Sequence, residues 1–170
     1  MSRLATVGPM TAEEFLALPD DGVERDLIFG EVREEPLTPR NRRHSRTAAM
    51  IGYFLDAWLD TQPEPRGQIV SGDAGFRLSR DPDSMVGIDV AYVSAKIAAV
   101  DPDSAYFEGP PVLAVEILSP SDQQERIDEK VSLYLKTGVP LVVGREPKIP
   151  DRHGLSTRRP ADPLQRPATD

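Results

Sequence analysis

Two acids stand where acids are costly. Glu116 interrupts the apolar run Val112 to Leu118, and Asp89 interrupts Ile88 to Val93. A carboxylate inside an otherwise buried strand costs on the order of several kcal/mol unless a partner or a cation compensates it. The two acids are 27 residues apart, a separation that a hairpin-like or longer connection can convert into side-by-side strands. Lys130 follows one helix further on. Two carboxylates from neighbouring strands and one ammonium form a hard-oxygen site for Mg²⁺ or Mn²⁺. Phosphodiester hydrolysis uses such a set: the ion neutralises the phosphate and lowers the pKa of a bound water, and the lysine assists the nucleophile or stabilises developing negative charge. Each residue also has a purely structural explanation. Asp89 can end a strand facing solvent, Glu116 can pair with an arginine, and Lys130 can be an ordinary surface residue of its helix.

The elements that must position these residues are readable from periodicity. Val112 to Leu118 is apolar on both faces, which predicts a central strand. Ser119, Pro120, Ser121 and Asp122 end it and offer N-caps to a helix from about Asp122 to Lys136, with a buried stripe of Ile127, Val131, Tyr134 and Leu135 and a stop at Gly138. Asp89 lies in the second of two extended stretches, Gln68 to Leu78 and Val86 to Val93, joined by a turn-rich linker from Arg80 to Ser84. An amphipathic helix over about 44–60 carries Ala48, Ile51, Leu55, Trp58 and Leu59 toward the core. Upstream, Thr11 and Glu14 have capping-box spacing, and ERDLIFGEVREE (24–35) reads as a strand pair with a tight turn or bulge at Gly30. A further strand begins at Pro140 to Val143.

Composition bounds the rest. A chain of 170 residues supports one domain with a hydrophobic core. Without cysteine there is no disulfide, no thiolate chemistry and no soft-ligand zinc site, so a metal must be held by oxygen or by one of two histidines. The absence of a long apolar window or a basic-then-apolar leader predicts a cytoplasmic protein with no membrane partner. A net charge of -8 opposes a general nucleic-acid-binding surface, yet Arg40, Arg42, Arg43 and Arg46 cluster around His44. That cluster is either a solvated basic loop or a local approach for phosphate.

Taken together, the motifs resemble the Uma-two family, a bacterial branch of the PD-(D/E)xK nuclease superfamily described as restriction endonucleases. The resemblance covers about residues 10–142. It rests on MTAEEFLALPDDG, on RDLIFGEV at a YELIDGE-like segment, on RRHSR before the first long helix, on GFRLS and GIDVAYVS, and on LAVEILSPSD leading into EKVSLYLKTGVPLV. It implies an α/β, restriction-endonuclease-like core, a mixed β-sheet flanked by helices. It further implies a Mg²⁺- or Mn²⁺-dependent DNA endonuclease with Asp89 and Glu116 as metal ligands and Lys130 as the catalytic cation. Glu31 matches the acid of the family's GE pair, and Arg42, Arg43 and His44 lie at the phosphate approach. Leu118 stands where the superfamily's third motif residue would be, as an apolar residue does in this family. Ile88 replaces the usual proline before the motif aspartate, Phe29 replaces an aspartate, and Asp26 stands where the family has glutamate.

From Gly144 onward the chain has five prolines in 27 residues and no hydrophobic period, so residues 143–170 are expected to be a disordered tail. With suitably chosen codons, the next reading frame of this stretch spells SWVVNP and RIDTVYRPGG, which match the strands the family places after GVPLV. The expectation is therefore a one-base shift near Val142 that leaves the sheet incomplete at the C-terminus and the enzyme inactive or poorly folded. The alternative function is a non-catalytic nucleic-acid-binding or protein-interaction remnant. A sugar- or nucleotide-hydrolysing carboxylate pair without metal, which would act in EDTA, is a third. A homodimer is compatible with all three.

Overall fold

The sheet is built on one long strand, β4 (Ser84–Val93), whose residues are buried almost throughout. The computed structural model describes residues 8–36, 41–118 and 122–145. Along one edge β4 pairs antiparallel with β3 (Gln68–Ser79), and these are the two extended stretches read from sequence. The other edge is shared. Near its start, Met85 pairs with Leu27 of β1 (Val23–Ile28), and at its far end Val90 to Tyr92 pair with β6 (Leu113–Ile117). Between these pairings β1 and β6 part, and Gly87 to Asp89 lie at the opening of this fork.

The remaining strands extend the two prongs. β1 folds back on β2 (Glu31–Pro36) through the two-residue turn Phe29–Gly30, both at positive φ (48° and 81°). Such a turn has the twist a hairpin needs. An added Cβ on Gly30 would lie 2.2 Å from the Cβ of Pro9, so the close approach of the N-terminal segment also requires glycine. β6 pairs parallel with β7 (Leu141–Arg145) in register from Leu113↔Leu141 to Ile117↔Arg145, and a short β5 (Phe107–Glu108) lies parallel to β3. The result is a seven-stranded mixed sheet among the described residues.

Helices cover both faces. α2 (Arg42–Leu59) packs Ala48, Ile51 and Leu55 against Val90, Val115 and Ile117. On the opposite face, α4 (Gln124–Lys136) brings Leu133 and Tyr134 onto Ile88, Ala91, Val93 and Ala114. Two short helices, α1 (Ala12–Leu16) and α3 (Ala95–Ala98), complete the element order. α1 opens with the capping box of Thr11 and Glu14.

Three expectations need correction. In α4 the buried pair is Leu133 and Tyr134, while Leu135 is exposed; with Lys130 and Tyr134 one turn apart on the sheet side, position 135 is rotated toward solvent. Trp58 of α2 is also partly exposed, resting edge-on against Tyr92 at 5.5 Å rather than entering the core. β7 continues two residues past Val143 because its pairing with β6 runs on to Arg145. Arg40, the predicted caps Ser119 to Ser121 and the tail beyond Arg145 lie outside the described residues. α4 begins after Gln123 with no side-chain cap.

Candidate active site at the sheet fork

The β3–β4 register explains how a carboxylate fits in the middle of β4. It passes from Ser71↔Val90 to Ala74↔Ile88, so two residues of β3, Gly72 and Asp73, stand opposite Asp89 alone. Both have positive φ, at 87° and 58°. This bulge breaks the alternation of β4: Val86 and Ile88 share a cluster with Ala91 and Val93, while Val90 belongs to the other face. Asp89 occupies the slip, on the side of α2.

Asp89 is held from two directions. Its Oδ2 accepts the Ile117 backbone N–H at 2.7 Å, where β6 has left β4, and its Oδ1 lies 3.1 Å from Nε2 of buried His44. His44 is fixed in turn by the first turn of α2, whose N-cap Asn41 accepts the N–H groups of Arg43 and His44. Burial pushes the Asp89 carboxyl up, and neighbouring Asp73 adds to that, while the Ile117 amide and His44 work the other way.

Glu116 points to the α4 face, because its neighbours Val115 and Ile117 pack under α2. The α4 residues Lys130 and Tyr134, one turn apart, both reach it. Tyr134 donates its hydroxyl to Glu116 Oε1, and Lys130 Nζ lies 3.6 Å from the same oxygen. Lys130 also lies 3.6 Å from Asp26 Oδ2 of β1 and donates to the Gly87 carbonyl at 3.2 Å. One ammonium thus bridges both prongs and the strand between them. Burial raises the Glu116 pKa to about 7 despite Lys130 and Tyr134, with Asp89 and Asp26 contributing in the same direction. Burial disfavours the Lys130 ammonium, but Glu116, Asp26 and Asp89 outweigh it and hold its pKa above the usual lysine value. The Tyr134 hydroxyl is raised well above its ordinary value by burial and by Glu116, so it remains a donor.

Among the residues singled out from sequence, the fold therefore gathers Asp89, Glu116, Lys130 and His44. Glu31 is not part of this cluster. It opens β2 opposite Ile28, its side chain is 71% exposed, and it pairs with Arg33 at 2.9 Å. The acid that β1 supplies instead is Asp26, whose side chain is only 13% exposed. Arg42 and Arg43 lie exposed at the start of α2, immediately before His44. Sequence reasoning passed over Asp73, although a Gly-Asp pair within a strand is a bulge signal. It took Tyr134 only as packing.

Among the described residues, no three His, Asp or Glu side chains converge as a ready-made metal cage. Two carboxylates on adjacent strands are nevertheless the protein share that Mg²⁺ commonly takes, with waters and substrate phosphate completing its coordination. Burial chiefly drives Glu116 upward and Asp89 and Asp26 add to it, so a divalent cation at the fork fits a buried carboxylate that lacks water to stabilise its charge.

Comparison with known proteins agrees with this architecture. A crystal structure titled as a putative nuclease belonging to DUF820, from Anabaena variabilis ATCC 29413, superposes with a TM-score of 0.65 at 19% identity, covering 81% of this chain and 74% of that one. It establishes likeness of fold. No curated protein matches the chain. No helix among the described residues is long and apolar enough to cross a membrane. The family model Uma2, described as "Putative restriction endonuclease", matches residues 12–150, past the boundary of about 142 read from the motifs, and by that match the chain belongs to the Uma2 family.

Proposed function

We propose that the protein is a divalent-metal-dependent DNA endonuclease whose site is the fork between β1 and β6. The observation that carries the reading is that Asp89 and Glu116, on adjacent strands at the fork, lie close enough for Asp89 to help raise the Glu116 carboxyl, with Lys130 against both Glu116 and Asp26. Mg²⁺ or Mn²⁺ bound there by Asp89 and Glu116 supplies charge neutralisation of the phosphodiester and a lowered pKa for water.

The chain's own residues do the rest. The Ile117 amide and His44 orient Asp89, and Tyr134 orients Glu116. Lys130 is held protonated by three acids, which suits it to stabilise the negative charge that develops on the phosphate and not to remove a proton. Arg42 and Arg43, at the exposed start of α2, offer donors to the DNA backbone beside His44. The acid contributed from the N-terminal hairpin is Asp26 in place of Glu31.

The test is cleavage of supercoiled plasmid and linear duplex by purified protein in Mg²⁺ or Mn²⁺. Asp89→Asn, Glu116→Gln and Lys130→Ala are each expected to lower the rate by about 100-fold or more. Cleavage that persists in EDTA, or in Asp89→Asn, would remove the metal-dependent reading. An intact fold that binds DNA but cuts nothing in either ion would favour the non-catalytic remnant.

A further inference from the structure

α2 has two apolar faces, and the sheet uses only one. Its inner stripe is His44, Ala48, Ile51, Leu55 and Leu59. On the opposite side Met50, Tyr53, Phe54 and Ala57 are exposed, with Tyr53 at 66% and Phe54 at 61%. Large apolar side chains at three- and four-residue spacing on the solvent side of a helix give up their burial energy unless another surface covers them.

The charges on that outer face have an unusual order. Arg46 lies seven residues before Tyr53 and Asp60 seven residues after it, so all three fall within about 20° of one line along the helix. Both charges are exposed; Asp60 also contacts Arg66 at 3.3 Å yet keeps 81% of its side chain accessible. The helix begins with Arg42 and Arg43, has no acid in its first turn and no base in its last, and is followed at its C-cap by Asp60. This polarity opposes the macrodipole, which favours acids at the N-terminus and bases at the C-terminus. Within one chain the arrangement is unfavourable. Against a second helix running the opposite way it becomes complementary.

We propose that this face of α2 is a homodimer interface, formed by antiparallel packing of α2 on α2 of a second copy about a two-fold axis at Tyr53. That axis sets Tyr53 against Tyr53, Ala49 against Ala57, and Arg46 of each copy against Asp60 of the other. The small residues at 49 and 57 allow close approach, and the aromatic residues supply the buried area. Each copy thereby completes the apolar and the charged complement of the other, which is the isologous pattern a two-fold requires. The interface is independent of the nuclease reading, since it uses none of the fork residues.

The test uses the full chain, with mass measured by light scattering after size exclusion over a dilution series. Wild type is expected at twice 18.7 kDa, dissociating on dilution. Arg46→Glu alone and Asp60→Lys alone set like charges against each other at both symmetric contacts, and each variant should be monomeric where wild type is dimeric. An equimolar mixture of the two should regain the dimer. In the mixed pair the two substituted side chains face each other with opposite charge at one contact, and the unchanged Asp60 and Arg46 meet at the other. Within one chain these positions are about 21 Å apart along the helix, too far for rescue inside a monomer. Tyr53→Glu should abolish assembly in every mixture, and circular dichroism of each variant checks that the fold is retained. A wild type that stays monomeric at all concentrations, single variants that stay dimeric, or folded single variants whose mixture stays monomeric would overturn the proposal.

Discussion

Glu116 ionises near neutral pH because burial leaves its carboxylate little water, and neighbouring Asp89 and Asp26 add to that rise. Its folded pKa of about 7 lies above the ordinary 4.5, so the folded protein binds a proton there that the unfolded chain releases. In EDTA the stabilisation is complete below about pH 4.5 and is lost as pH rises through about 7, by up to roughly 3 kcal/mol for this group. Urea midpoints measured from pH 5 to 8 should fall in wild type and fall much less in Glu116→Gln. Adding Mg²⁺ above pH 7 should restore the midpoint in wild type only. An equal slope in both proteins would mean that Glu116 does not carry the charge burden. Asp89, Glu116 and Lys130 were legible in sequence because acids are conspicuous inside apolar strands and the lysine follows on the next helix. Asp26 was not, because Glu24, Arg25 and Asp26 form one charged run in which nothing marks the inward-facing member. Only the hairpin register and the ammonium 3.6 Å away separate it from its neighbours.

At the scale of elements, two ionic clamps hold the hairpin and α1 in place around β4. Arg33 of β2 grips Glu129 of α4 with a shortest contact of 2.8 Å, tying the helix that carries Lys130 to the β1–β2 prong. On the other side Asp83, 7% exposed, accepts Ala12 N–H at 2.7 Å and pairs with buried Arg77 at 2.8 Å. Arg77 reaches on to Glu13, joining α1 to β3. Asp83→Ala removes the buried partner of Arg77, which keeps Glu13, and leaves the Ala12 amide without its acceptor, and should cost about 2 kcal/mol in urea denaturation. A loss below about 1 kcal/mol would show that water replaces the carboxylate. The helices and strands were largely readable from period and caps. The side-by-side placing of the Asp89 and Glu116 strands was anticipated and is met in β4 and β6, but the place of β1 on that same edge was not, because an edge shared by two strands leaves no local pattern, and neither does a bulge that reverses alternation for one residue. Nothing in LAVEI or VERDLI states that both belong to the same edge.

For the whole molecule, the question posed by the sequence is where the domain ends. β7 keeps its register with β6 through Arg145, and the family match runs to residue 150. Deleting residues 151–170 is therefore expected to change stability by less than about 0.5 kcal/mol in urea melts. A loss of several kcal/mol would assign those residues to the domain. The proposed base shift near Val142 is decided separately, by the nucleotide sequence of that stretch. Composition alone spoke against a nucleic-acid partner through the net charge of -8, yet the basic residues of α2 sit at the end nearest the fork and its acidic residues at the far end. Charge placement, which a total conceals, is what would let the proposed DNA approach and the proposed self-pairing helix coexist in one acidic chain.

The Ile117 amide, donated to Asp89 at the point where β6 leaves β4, has a use beyond holding a carboxylate. Its proton is shared with a group whose charge changes when a cation or a proton arrives, while the neighbouring amides of β6 remain in the ladder. In a nitrogen–proton correlation spectrum of ¹⁵N-labelled protein that single resonance is a native gauge of what occupies the fork, readable without substrate or turnover.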